Sequence, residues 1–358
     1  MSLLEYRAGI EALHLLRTRE LGPKAVSALL LPAIGPKWLV LAGFDRGLIE
    51  AGWFDTNAAQ RLLLFGASVG AWRALTLAAR DPLRAHAALL EAYITQRFTT
   101  ADSPAAISGA YRRLLETVFE QADLAHAAQH PRLDLAIATV RAVGPFASER
   151  RGFQALALTA AALLNAIDPR VAALCLQRCV FATTGHVPGG YPLLQAAGGV
   201  HALLTESNMR EVALASGTVP MYMQLVRNLE GAQPGAYLDG GFSDYHLNRT
   251  ADAGPGVTLL FSHQRRIVPA WFDKFAPWRK LDPQALSRLV LVYPSEAFVK
   301  SLPGGAIPTR DDFKRFVQEP ELRIERWRTI AERSRELAAT FLADAASGAI
   351  ASKAKALE

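Results

Sequence analysis

Cysteine is nearly absent from this chain: Cys175 and Cys179 are its only two. Read as positions one turn apart on a helix, they share a face but cannot bond to each other along it, so buried thiols are expected and neither a disulfide nor a metal centre. Long apolar runs are also missing. Gln154, Thr159 and Asn165 interrupt the stretch from Phe153 to Ile167, and Pro32, Gly35, Pro36, Lys37 and Gly43 interrupt that from Leu29 to Phe44, which leaves no run long enough to span a bilayer. Met1 to Arg7 lacks the basic start and the unbroken apolar segment of a secretion signal, so the expected location is cytoplasmic. Lysine and arginine form no block and are not interleaved with aromatics as in nucleic-acid binders, so no nucleic-acid partner is expected. The net charge of +6 favours approach to anionic surfaces, and peripheral contact with a membrane surface is the partner compatible with it. Phosphate-cradling glycine loops do not occur.

What is present is ample apolar material, 51% of 358 residues, enough for one large α/β domain or two ordinary ones. Apolar segments of strand length stand at Val26–Ala33, Leu133–Val140, Val180–Thr183, Ala236–Leu238, Val257–Ser262 and Leu289–Tyr293. Helical spacing predicts helices over residues 3–20, over Ser103–His130, over Phe153–Leu176 with a break near Asp168–Pro169, and from Pro320 onward through Leu322, Ile324, Trp327 and Ile330. Gly189 to Gly199 reads as loop. Strands alternating with helices imply an α/β fold, a three-layer α/β/α sandwich around a mainly parallel sheet. No repeat or linker divides it. The expected layout is a single domain over 1–345, with a helical insertion at about 95–176 and a frayed tail over 346–358.

The chemistry-bearing stretch is Arg61 to Trp72, where an apolar strand runs into Gly66-Ala67-Ser68-Val69-Gly70 and then into Ala71, Leu75, Ala78 and Ala79 at helical spacing. A strand-to-helix turn of this kind forces its serine into a strained conformation and presents the hydroxyl, while Gly66 and Gly70 let neighbouring backbones approach. Ser68 is therefore the candidate nucleophile. Downstream, Gly235-Ala236-Tyr237-Leu238-Asp239-Gly240-Gly241 puts an aspartate at a strand end, where it would point into the rim that carries ligands in open α/β sheets. Asp-Gly is also a common turn dipeptide.

Taken together, Gly66–Gly70, the Ala215-Ser216 segment with Pro220, and Asp239-Gly240-Gly241 resemble the patatin-like phospholipase family, in order and across most of the chain. The resemblance implies a patatin-like fold, a catalytic dyad of Ser68 and Asp239, and lipid or small ester substrates with no cofactor and no metal. It also implies an oxyanion hole formed by the N–H groups of Val69 and of a glycine-rich run ending in a basic residue. That run is Pro32-Ala33-Ile34-Gly35-Pro36-Lys37 here. Only Gly35 and Lys37 match, and Pro36 has no N–H to donate.

Without a histidine, Asp239 would take the Ser68 proton as the hydroxyl oxygen attacks an ester carbonyl and return it to the departing alcohol, which requires desolvation to raise its basicity. Two other readings stay open. His246 and His263 follow Asp239 in the chain order of an α/β-hydrolase triad, although about one strand precedes the elbow here and that fold builds several. The altered glycine run also fits a lipid-binding or scaffold protein that has kept the fold and lost its activity. Oligomeric state is not legible.

Overall fold

The computed structural model describes residues 2–18, 20–55, 61–99, 101–184, 200–247 and 254–357. The strands are β1 (Leu4–Ala8), β2 (Val26–Leu31), β3 (Leu62–Ala67), β4 (Leu133–Ala142), β5 (Leu176–Ala182), β6 (Val200–Leu203), β7 (Val226–Arg227), β8 (Ala236–Asp239), β9 (Val257–Phe261), β10 (Leu289–Pro294) and β11 (Lys355–Ala356). The helices are α1 (Ile10–Thr18), α2 (Ala42–Glu50), α3 (Val69–Leu77), α4 (Pro82–Ile94), α5 (Pro104–Val118), α6 (Gln121–Ala128), α7 (Arg151–Ile167), α8 (Pro169–Cys175), α9 (Met209–Ser216), α10 (Glu296–Lys300), α11 (Asp312–Arg315), α12 (Pro320–Ala346) and α13 (Ile350–Lys353). Among these residues no helix is long and apolar enough to cross a membrane.

One mixed sheet runs β11-β1-β10-β9-β2-β3-β4-β5-β6, with β8 also on β4 and β7 on β8. Its centre, β10-β9-β2-β3-β4, is parallel throughout. Helices flank the sheet, giving the α/β/α arrangement that the alternation of elements predicts. Every residue of β2 and β3 is buried, as expected of parallel strands covered on both faces. Helix α12 lays Ile324, Trp327, Ile330, Leu337 and Phe341 into the core and sits tight on α2. There a Cβ on Gly43 would come within 2.3 Å of the Ser334 carbonyl oxygen, and the Gly43 N–H donates to Ser334 Oγ at 2.7 Å. Arg73 of α3 grips Asp45 of α2 through two 2.7 Å hydrogen bonds in the dry interior. Removing one partner of such a pair strands a buried charge, at a cost of about 3–5 kcal/mol.

Strand β4 positions the site. It faces β3 over Leu133–Ala138, β5 over Ala136–Ala142 and β8 over Thr139–Ala142. Both β3 and β8 overlap β5 along β4, so they must share its opposite edge, one parallel and one antiparallel, meeting head to head.

Several expected boundaries move. Residues 3–20 are not one helix, because Leu4, Tyr6 and Ala8 pair as β1 with β10 and the helix starts only at Ile10. Gly9 makes the switch: a Cβ there would meet the Leu286 carbonyl oxygen at 2.0 Å. The helical insertion expected over 95–176 is interrupted by β4, a central strand. Cys179 lies in β5 and Cys175 at the end of α8, so the two do not share a helix, and both thiols are free. The tail expected to fray instead forms α13 and β11, with Ile350 buried and the Arg7 guanidinium donating to the Ala356 carbonyl at 2.9 Å. The break at Asp168 is present, with its side chain capping α8 through the Arg170 N–H. The loop expected over Gly189–Gly199 lies outside the described residues.

Candidate functional site

Ser68 ends β3 and precedes α3 with φ 56° and ψ −128°, a strained conformation for a residue with a side chain. The two glycines around it are there for space. A Cβ on Gly70 would lie 1.7 Å from the Leu31 carbonyl oxygen, and one on Gly66 would lie 2.5 Å from that of Gly70. The elbow is pinned from below, since the Ser68 N–H donates to Ser216 Oγ at 2.8 Å and Ser216 Oγ donates to the Ala138 carbonyl at 2.7 Å.

Asp239 arrives from β8. Ser68 Oγ donates to Asp239 Oδ2 at 2.8 Å, and the Gly241 N–H holds Oδ1 at 2.7 Å. Gly240 allows the close turn, as a Cβ there would strike the Ala138 carbonyl oxygen at 2.1 Å. Ser68 and Asp239 are both buried. Burial pushes the Asp239 carboxyl above its ordinary value; the Gly241 amide, Ser68, Arg310 and Lys274 pull in the opposite direction.

Gly35, at φ +53°, opens the turn Gly35–Leu41, and Val69 opens α3. As first residues of helical turns, their N–H groups have no partner within the turn. Both residues line the cavity that holds Ser68. The neighbouring N–H groups are committed elsewhere, Ala33 to the Tyr245 carbonyl at 2.8 Å and Ile34 to that of Pro32 at 3.0 Å. Gly35 and Val69 are thus amide-bearing residues of the two segments that both line the cavity and open a helical turn.

The cavity measures about 560 Å³. Trp72, Tyr93, Tyr111, Met223 and Phe313 give it an apolar wall, while Arg310 and Lys314 bring positive charge. Arg310 reaches close to Gly35, with Nη2 3.9 Å from where a Gly35 Cβ would be. Lys274 Nζ lies 3.9 Å from the centre of the Tyr245 ring. Burial, helped by Lys37 and Arg310, lowers the Lys274 amine to about 7, and burial also lowers Lys37.

His246 and His263 lie elsewhere in their hydrogen bonding. His246 Nδ1 accepts the Val268 N–H at 2.9 Å, and among the described residues neither histidine bonds to Ser68 or Asp239. Burial pushes His246 down to about 3 and His263 well below its ordinary value, so both rings are neutral. His126 and His130 have the i, i+4 spacing of a metal pair on a helix, yet His130 Nδ1 accepts the N–H groups of Arg132 and Leu133 at 3.1 and 3.0 Å. No group of three or more His, Cys, Asp or Glu suited to a metal occurs among the described residues.

Sequence reasoning brings Ser68, Asp239, Gly35, Val69 and the glycines to one place. It leaves out the bridging role of Ser216, the aromatic wall and Arg310. Trp72 could have been found, since it follows the elbow directly on α3; Arg310 stands in a turn that no motif marks. Compared with known proteins, the chain matches no family model and no curated protein.

Proposed function

We propose that the protein is a serine acyl hydrolase of lipid esters, of the patatin-like type, working through Ser68 and Asp239. The observation that carries this reading is the 2.8 Å hydrogen bond from Ser68 Oγ to a buried carboxylate with no intervening histidine. Ser68 Oγ attacks the ester carbonyl and its proton passes to Asp239 Oδ2. The oxyanion forms between the Gly35 and Val69 N–H groups. Collapse breaks the bond to the alcohol, which leaves with the proton from Asp239. Water then attacks the acyl-serine, giving its proton to Asp239, and Ser68 recovers it as the carboxylic acid departs. Desolvation supports the base role, since a carboxylate raised above its ordinary value accepts a proton more readily. The apolar wall suits an acyl chain.

Ser68→Ala and Asp239→Asn should each abolish p-nitrophenyl butyrate hydrolysis at unchanged melting temperature, and full activity in either contradicts the dyad. His246→Asn and His263→Asn should keep most of it; collapse in either would favour a triad. One observation favours a second reading, an inactive lipid-binding relative: the Ala33 and Ile34 amides are already bonded to backbone carbonyls. A folded protein that shows no Ser68-dependent labelling by a fluorophosphonate would support that reading.

A further inference from the structure

Helix α7 is inside out. Its buried positions are Gln154, Ala157, Ala161 and Asn165, while Phe153, Leu156, Leu163 and Ile167 are 58%, 69%, 65% and 84% exposed. At about 100° per residue these two sets occupy separate arcs of the helix, so its largest apolar side chains form a single outward stripe. A second pair of exposed apolar side chains stands near the helix. Asn165 Nδ2 donates to Asp273 Oδ1 at 2.9 Å, and the Arg279 guanidinium donates to the Asn165 carbonyl. These bonds fasten the segment that carries Phe275 and Trp278, each 64% exposed, to the C-terminal half of α7. Isolated exposed apolar residues need no explanation, but four large ones on one arc of a single helix mark an interaction site.

We propose that the outer face of α7, together with Phe275 and Trp278 nearby, docks the protein on an anionic lipid bilayer. This rests on the lipid-ester reading above. Charge identifies the occupant. No acidic residue occurs from Arg150 to Ile167, and Arg150 and Arg151 stand at the helix N-terminus, where the helix dipole disfavours cations. Lys280, two residues from Trp278, is exposed as well, and none of the three cations forms an ion pair among the described residues. A second copy of the chain fits badly, because a two-fold pairing through this face would set like cations against each other. Anionic headgroups match these unpaired cations, the apolar stripe matches the acyl boundary, and Trp278 is suited to the interface between them.

The other side of α7 borders the cavity. Arg151 of α7 lines the cavity that holds Ser68, and Gln154 Oε1 accepts the N–H of Met221, another lining residue, at 2.7 Å. At about 100° per residue both α7 residues lie away from the exposed stripe, so the cavity borders the inner side of α7.

The experiment is sedimentation of Ser68→Ala protein with vesicles of phosphatidylglycerol and phosphatidylcholine, or of phosphatidylcholine alone. Expected is binding to the anionic vesicles that weakens with salt. Leu156→Glu with Leu163→Glu should reduce it by about tenfold or more, and Phe275→Ser with Trp278→Ser should act independently in the same direction. All four sites are exposed, so the melting temperature should hold. Failure of the Ser68→Ala protein to bind anionic vesicles overturns the proposal, as does undiminished binding in both double variants. If the substitutions instead dissolve a dimer seen by light scattering and leave vesicle binding intact, the face belongs to a second copy and the proposal falls. Soluble p-nitrophenyl butyrate separates the two readings: turnover without vesicle binding overturns docking alone, and vesicle binding without turnover overturns the hydrolase.

Discussion

Ala67 and Asp239 face consecutive residues of one strand, Ala138 and Thr139, from opposite directions. Because β3 runs up to that point and β8 runs down to it, Ser68 and Asp239 are brought together by strand register. Loops are not needed to hold them. A site built on regular elements keeps its geometry better than one carried by loops.

Ser216 is the first residue to test beyond the dyad. Ser216→Ala removes the acceptor of the buried Ser68 N–H, and an unsatisfied buried donor costs about 1–3 kcal/mol. The melting temperature should fall accordingly, and kcat should fall more than KM rises as the elbow loosens. An unchanged kcat would separate Ser216 from the reaction.

Gly35 has room for a side chain, with nothing nearer to its Cβ position than Arg310 Nη2 at 3.9 Å, but its φ of +53° does not suit one. Gly35→Ala should therefore cost only about 1 kcal/mol of stability. If the Gly35 N–H serves the oxyanion, kcat should drop about a hundredfold as the turn shifts. Retention of kcat would place the oxyanion elsewhere.

The pH profile should carry the signature of Asp239. The base must be ionised, and burial raises its carboxyl, so kcat/KM should fall with acidification at a pH above the ordinary carboxylate range. Lys274, protonated below about 7, pulls that carboxyl down. Lys274→Met should thus move the acidic limb to higher pH. A limb that stays put or moves to lower pH would show that Lys274 does not act on the base.

His246 should make the fold acid-sensitive. Its folded value is about 3 against about 6.5 for a free imidazole, so on acidification the unfolded chain binds a proton that the folded chain refuses. Stability is then complete above about 6.5 and is lost progressively as the pH falls toward 3. In His246→Asn, urea midpoints measured between pH 7 and pH 4 should vary less than in the parent. Equal slopes would mean that other groups carry the dependence.

How much of this could be read beforehand depended on range. The elbow is legible because its constraints are local: Gly66 and Gly70 sit where a Cβ would strike backbone a few residues away or on the next strand. Asp239 is legible through the two glycines behind it. The reason the two meet is not, since it depends on three strands sharing β4. Residues 3–20 misled because Ile10, Leu13 and Leu16 keep helical spacing while Leu4, Tyr6 and Ala8 alternate, and only pairing with β10 decides between them. Arg310 gave no local sign, because what makes it part of the site is proximity to Gly35.

Strand β11 has a further consequence. It covers β1 with only two residues, one of them Lys355. Among the described residues, a wide and very apolar sheet thus ends on this flank in a strand too short to act as a template for another chain. That limits fibril-like growth from this flank, and substitutions that lengthen β11 should show first as aggregation during expression.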